Sequence, residues 1–455
     1  AIELNPDYAE AHSNLGNTLN DLGKLQEAEI SLHKAIELNP DYAEAHYNLG
    51  VILSGLGELT GAEISYRKAI EIKPDYAIAH YNLGIILKGL GKLQKAEISI
   101  RKVIELNPNF TNAYMTLGMI LESSGKTDKA KEYYQKELGK DTRKYLNLLT
   151  LYQCLGDFKQ FNSLFKKIES FKTFNDTDSL ILSSKMMMNF LVQGKFEMIP
   201  SMLKKGLKLI KNGTSQKIKD EYIRSQVVRS VQFINDIYQI LDKSKINLLT
   251  RKIPHIGESH CLSFSHQEIS ISNELRLVQP VWIPNCYAFH FAKIEMNQYK
   301  AFFLNQYKNF RDSKEIFISF GEIDCRKREG IIPHSIKYNK DISKIYKQTI
   351  NRYLNYMEEN LSKVYSKRYY FGVPAPRISE KIKDELDVTR TLLIKEYNIY
   401  LKKEVLLRGS SFIDVYELTA NQNGENNDLY MCDKTHLSPK CLTYLFENHL
   451  YEPNI

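Results

Sequence analysis

The first third of the chain repeats with a fixed period of 34 residues, and a strict period of that length leaves few folds open. Ala1 to Lys34, Ala35 to Lys68, Ala69 to Lys102 and Val103 to Lys136 align without a gap, opening as AIELNPDYAEAHSNLG, AIELNPDYAEAHYNLG, AIEIKPDYAIAHYNLG and VIELNPNFTNAYMTLG. A unit this short cannot bury an apolar face alone, so the copies must stack. Each recurring residue has a physical reason. Pro6, Pro40, Pro74 and Pro108 are expected at helix starts, where a missing N–H costs nothing and the fixed φ is already helical. Gly16, Gly50, Gly84 and Gly118 put a small residue where the two helices of a pair cross. Gly23, Gly57, Gly91 and Gly125 end the first helix, and Ala28, Ala62, Ala96 and Ala130 let the second pack against it.

This pattern resembles the tetratricopeptide repeat over roughly 140 residues. The resemblance implies a right-handed superhelix with a concave inner face, which in such arrays is an interaction surface. Asn14, Asn48 and Asn82 recur on the first helix, with Thr116 in the fourth repeat. In some tetratricopeptide proteins, including O-linked N-acetylglucosamine transferases, an asparagine ladder at an equivalent place binds the backbone of an extended peptide. The competing reading is that asparagine belongs to the repeat consensus. A protein or peptide partner on the concave face is the expectation either way.

From Asp141 to about Ser244 the period fades while helical spacing persists, and Leu155-Gly156-Asp157 and Gln193-Gly194-Lys195 look like worn helix–glycine–helix corners. Met186-Met187-Met188 reads as adaptable packing. After about residue 250 the pattern changes class. Glu315 to Phe320, Arg368 to Val373 and Ser411 to Tyr416 are short runs of β-branched and aromatic residues, with Leu275 to Val278 weaker, and helical stretches at 341–365 and 378–408 lie between them. Alternating strand and helix predicts a three-layer α/β domain with a parallel sheet. Ligands bind at the carboxyl ends of such strands, where Ser259, Gly321-Glu322-Ile323-Asp324 and Asp433/His436 would converge. The expected domains are 1–140 (repeats), 141–250 (degenerate helical continuation) and 251–455 (α/β).

An Asp three residues before a His can fix the imidazole tautomer for a serine brought from a distant strand. Gly257-Glu258-Ser259, Gly321-Glu322-Ile323-Asp324 and Asp433-Lys434-Thr435-His436 together resemble the first, third and last blocks of the SGNH (GDSL-like) hydrolases. The resemblance implies a flavodoxin-like fold with Ser259 as nucleophile, His436 as base and Asp433 as its orienter. It also implies an oxyanion hole from the serine N–H, a second-block glycine and a third-block asparagine. The sequence departs there. Ile323 stands where the asparagine belongs, no glycine lies between Gly257 and Gly321, and Asn285 is the nearest stand-in for the second block. Loss of one oxyanion donor costs about 10²–10³ in rate. Arg326 could donate instead, while Glu322 and Asp324 either shape the substrate site or form a structural ion pair.

The expected reaction is therefore serine ester hydrolysis or O-acyl transfer on a small-molecule or carbohydrate ester. The alternative is a non-catalytic scaffold whose hydrolase-like domain has decayed. A role alongside a glycosyltransferase system is weaker, since nothing in the C-terminal half resembles a sugar-nucleotide site. A metal held by Glu322, Asp324, Asp433 and His436 lacks a second histidine and a regular spacing, so neither metal nor cofactor is expected. Cys261, Cys325 and Cys432 lie close to the blocks. Six cysteines without CxxC pairs favour buried, reduced thiols and a cytoplasmic setting. A charge of +8, from 62 basic against 54 acidic residues spread along the chain, argues against nucleic acid, and no apolar run is long enough for a membrane span. The chain begins inside a repeat without a Met and looks cut from a longer protein.

Overall fold

The computed structural model describes residues 5–110, 112–136, 142–169, 175–240, 251–271, 274–310, 312–378, 384–431, 436–448 and 451–452. The chain divides into two compact units, Ala1–Lys144 and Tyr145–Ile455.

Unit 1 is a stack of helix pairs: α1 (Ala9–Asp21) with α2 (Leu25–Leu38), α3 (Ala43–Gly55) with α4 (Leu59–Ile72), α5 (Ala77–Gly89) with α6 (Leu93–Leu106), and α7 (Ala113–Ser123) with α8 (Thr127–Lys136). The prolines do not open the helices. Pro6, Pro40 and Pro74 sit three residues ahead of Ala9, Ala43 and Ala77, in a β-turn where the Tyr8, Tyr42 and Tyr76 amides donate to the Asn5, Asn39 and Lys73 carbonyls at 3.3, 3.2 and 3.1 Å. That is the turn position proline favours through its fixed φ. His12, His46 and His80 then donate from Nε2 to the Pro6, Pro40 and Pro74 carbonyls at 2.8, 2.8 and 3.0 Å, tying turn to helix. The crossing glycines behave as expected. A Cβ on Gly16, Gly50, Gly84 or Gly118 would lie 2.7, 2.7, 2.5 or 2.5 Å from Leu32, Tyr66, Ile100 or Tyr134. Successive repeats are also clamped by charge: Glu63 pairs with Arg67 at 3.0 Å and with Lys92 of the next repeat at 2.6 Å, and Glu97 repeats this with Arg101 and Lys126, both at 2.8 Å.

After the repeats come α9 (Thr142–Leu155), α10 (Phe158–Glu169), α11 (Asp176–Gln193), α12 (Ile199–Lys211) and α13 (Glu221–Ile240). Met186, Met187 and Met188 are buried in α11. The rest of unit 2 is built on seven strands: β1 (Lys252–Gly257), β2 (Glu268–Ile271), β3 (Glu274–Trp282), β4 (Glu315–Ser319), β5 (Lys367–Phe371), β6 (Ser411–Ile413) and β7 (Tyr451–Glu452). Their spatial order is β2-β3-β1-β4-β5-β6-β7. The sheet is mixed where a parallel one was expected, because the edge strands β2 and β7 run antiparallel to β3 and β6. Both edges are too short, at four and two residues, to show a pattern in sequence. The inner strands β3, β1, β4, β5 and β6 pair in parallel, as their βαβ-like spacing predicts.

The remaining helices are α14 (His260–Ser263), α15 (Ala288–Ala292), α16 (Gln298–Gln306), α17 (Ile331–Tyr338), α18 (Ile342–Leu361), α19 (Glu385–Leu407), α20 (Val415–Thr419) and α21 (Pro439–Glu447). They cover both faces of the sheet. On one, Phe317 of β4 meets Phe446 of α21 with ring centroids 5.4 Å apart, and on the other Tyr370 of β5 meets Tyr353 of α18 at 6.3 Å. Helices α9 to α13 join the same unit. Gln306 Nε2 donates to the Cys154 carbonyl at 2.8 Å, and Gln279 Nε2 donates to the Val192 carbonyl at 3.0 Å.

Candidate functional site

β1 and β4 are adjacent, and each ends in a loop that carries a carboxylate into the space above the sheet. β1 runs into Glu258, Ser259 and the single turn α14, and β4 runs into Gly321, whose φ of 130° turns the chain sharply toward Glu322. Gly257 is held tightly between the two strands, since a Cβ there would lie 2.2 Å from Ser319 Oγ. Any larger residue would push β1 and β4 apart.

The Glu322 N–H donates to Glu258 Oε1 at 3.1 Å, locking the two loops together. His260 Nδ1 lies 3.8 Å from Glu258 Oε1, and Glu258, His260 and Glu322 bring their donor atoms within 4.8 Å of one another. Arg326 closes on Glu322 Oε2 from Nε at 2.9 Å and Nη2 at 2.7 Å, and its Nη1 reaches Glu329 at 3.3 Å. Arg390 stands 3.5 Å from Glu322 Oε1. The two glutamates are thus in opposite electrostatic situations. Burial, followed by the neighbouring Glu322 charge, pushes the Glu258 carboxyl well above the usual carboxylate range. Burial opposes ionisation at Glu322 as well, but the charge and hydrogen bonds of Arg326 prevail and hold it below that range.

Glu258, His260 and Glu322 line a cavity of about 20 Å³ with Phe264, Ser319, Phe320, Phe371, Gly372, Val373, Pro374 and Leu437. It has room for one water-sized occupant. Beneath it, His255 is fully buried among the rings of Phe264, Phe317 and Phe371, and its Nε2 meets Ser319 Oγ at 2.9 Å. Burial pushes the His255 imidazole down to about 3, so it stays neutral.

The sequence-predicted residues separate here. Ser259 is half-buried at the carboxyl end of β1, where its side chain does not cap α14, and its hydroxyl has no hydrogen-bond partner among the described residues. His436 is half-buried, with its ring 5.5 Å from that of His260 and 4.5 Å from that of Phe233. Asp433 and Cys432 lie outside the described residues. Asn285 is exposed in a left-handed turn, φ 56°, after β3. Asp324 turns to α15, accepting the Ala288 and Phe289 amides at 2.7 and 3.1 Å, although burial raises its pKa to about 7. Arg326 is turned to its two carboxylates. Cys261 and Cys325 are fully buried, and burial pushes both thiols up, as expected of packing residues.

Sequence reasoning passed over Glu258 and His260 as functional groups. The signal was present, since they flank Ser259 in the GESH tetrapeptide.

In unit 1 the asparagines also differ from one another. Asn82 Nδ2 donates to Tyr47 Oη at 3.2 Å, and Thr116 Oγ1 meets Tyr81 Oη at 3.2 Å in the equivalent place. The Asn14 and Asn48 amides make no side-chain hydrogen bond among the described residues, and Asn14 is exposed.

Family models described as TPR repeat match residues 16–57 and 55–91, and tetratricopeptide repeat models match 1–30, 77–110 and 111–136. Residues 1–136 belong to the tetratricopeptide-repeat family. No curated relative matches the chain. Among solved structures, MamA is 32% identical over 30% of this chain and 80% of its own, with a TM-score of 0.29. YrrB, described as a TPR protein with an unusual peptide-binding site, is 20% identical over 50% of this chain and 96% of its own, TM-score 0.32. A tetratricopeptide repeat protein from Parabacteroides merdae is 19% identical over 50% and 86%, TM-score 0.38. No helix among the described residues is long and apolar enough to cross a membrane.

Proposed function

We propose that this chain is an interaction protein whose tetratricopeptide array holds an extended segment of a partner protein. The observation that carries this reading is the ladder on the first helices, spaced by 34 residues, in which Asn14 and Asn48 keep their amides unengaged while Asn82 is tied to Tyr47. An amide offers one donor pair and one acceptor, which is what a peptide backbone needs from a side chain. Selection from a displayed random-peptide library on the whole chain tests it. Binders that lose at least about tenfold in affinity, roughly 1.4 kcal/mol, in Asn14→Ala/Asn48→Ala support the reading. Binders indifferent to both changes place the partner elsewhere.

A second reading concerns the sheet. Numbered among themselves the inner strands run 2-1-3-4-5, an order that supports a flavodoxin-like arrangement such as SGNH hydrolases have. In that order the switch point lies between β1 and β4, where Ser259, Glu322 and the His260–His436 contact fall. The reading is that Ser259 Oγ attacks an ester carbonyl, His436 takes its proton with Asp433 as orienter, and water or a sugar hydroxyl accepts the acyl group. Asn285, Arg326, Glu322 and Asp324 would shape the substrate. Five buried free cysteines suit a reducing, cytoplasmic setting for it. Treatment with a fluorophosphonate decides. An adduct on Ser259 that is lost in Ser259→Ala supports an esterase or O-acyltransferase, and equal labelling of both leaves the scaffold alone.

A further inference from the structure

Glu258, His260 and Glu322 bring two carboxylates and an imidazole to one side of a small cavity. All three are buried, at 2%, 5% and 6% exposure, and the cavity they line measures about 20 Å³. Glu322 has its counter-charges, with Arg326 on Oε2 and the longer Arg390 contact on Oε1. Glu258 has no lysine or arginine in contact among the described residues, His260 being the basic group beside it. Its Oε1 accepts the Glu322 amide, while its Oε2, fully removed from solvent, has no hydrogen-bond partner among the described residues. A buried carboxylate oxygen left in that state is unfavourable unless a cation, a proton or a water meets it. The arrangement supplies more than an orphan oxygen, because an imidazole nitrogen stands 3.8 Å from the other oxygen of the same carboxylate.

We infer that this cavity is a divalent-cation site, with Glu258, His260 and Glu322 as its protein ligands and a further position open to water. Two carboxylates and an imidazole match the three-ligand pattern of open zinc sites. Carboxylate oxygens and imidazole nitrogens sit about 2.0–2.2 Å from zinc, which for tetrahedral ligands means separations of roughly 3.4 Å. The donors here, within 4.8 Å of one another, need only close by side-chain rotation. The backbone fixes two of the ligands in one loop, and the Glu322 amide bond to Glu258 fixes the third, 64 residues away. The site stands on these contacts and not on the esterase reading.

Zinc chloride titrated calorimetrically into the whole chain, after chelator stripping and dialysis, tests the inference. One saturable equivalent is expected, with affinity falling at least about tenfold in Glu258→Gln and in His260→Gln. No saturable binding, or binding unchanged in both variants, overturns it. Should either variant lose its near-ultraviolet circular dichroism, the wild-type chain alone decides with Co²⁺. Visible absorption bands that saturate at one equivalent and are displaced by Zn²⁺ support the site, and their absence overturns it, leaving a buried water as the occupant.

Discussion

His266 lies against Gly194, so that a Cβ built on the glycine would sit 2.6 Å from the ring Nε2. Both residues are left-handed, at φ 56° and 72°. The ring also meets Ser265 Oγ at 2.7 Å through Nδ1 and stands edge-on to Phe196 at 5.4 Å, while Ser265 Oγ donates to the Leu191 carbonyl at 3.4 Å. The helix–glycine corner visible in the sequence at 193–195 is therefore a docking point for the loop that follows α14.

Gly194→Ala should destabilise unit 2 by about 2–3 kcal/mol, combining left-handed backbone strain with overpacking against His266. Urea unfolding gives the number. A change below about 0.5 kcal/mol would mean that the ring moves aside without loss.

His255, His266 and His290 are neutral in the fold because burial lowers them to about 3, 4 and 3. The unfolded chain, with His near 6.5, takes up protons first as pH falls, so this stability is complete above pH ~6.5 and lost toward the folded values. His266 alone accounts for about 2 kcal/mol between pH 7 and pH 5. Asp324, raised to about 7, acts in the opposite sense, so the diagnostic is a difference. His266→Asn, which tolerates the left-handed backbone, should flatten the pH dependence of the urea midpoint relative to wild type. Parallel pH profiles would refute the assignment.

The repeats were legible because every recurring position answers a local demand, such as a small residue at Gly84 against Ile100 or a positive φ at Gly91. The sheet was legible less evenly. β3 carries Pro280 and β1 carries Pro254, residues that argue against inner strands. In the structure Pro280 lies beyond the β2 pairing, which stops at Leu277, and Pro254 precedes the β4 pairing, which starts at His255, so each needs only one neighbour. The convergence of Ser259, Glu322 and His436 on one sheet end follows from the alternation of strand and helix. The Glu258–His260–Glu322 cluster does not, because it depends on which side chains find a counter-charge. Nothing in spacing shows that Arg326 bonds Glu322 and not Glu258.

Gly118→Ala tests the crossing in the fourth repeat. Alanine gains about 1 kcal/mol in helix propensity over glycine, but its Cβ would lie 2.5 Å from two ring carbons of Tyr134. That ring is 1% exposed and its hydroxyl donates to Glu122 at 2.7 Å, so it has nowhere to go. Overpacking of about 1–3 kcal/mol should outweigh the gain and lower Tm. An equal or higher Tm would show that α8 repacks.

The chain should tolerate a cut ahead of α9 but not one between α13 and β1. A boundary near residue 250, drawn from the change in sequence pattern, would separate the sheet from α9 to α13. The structure ties them together, through Gln306 to Cys154, Gln279 to Val192, Ser265 to Leu191, and the ring contact of Phe233 with His436. A fragment of residues 142–455, which keeps α9 whole, should therefore unfold cooperatively with the Tm of unit 2 in the intact chain. A fragment of 251–455 loses those partners and exposes the surface around Gln279, Ser265 and Gln306 that they cover, so it should show weak near-ultraviolet circular dichroism and bind a hydrophobic dye. A cooperative, dye-free 251–455 fragment would show that the helices merely lean on the sheet and that the domain ends where the sequence pattern changes.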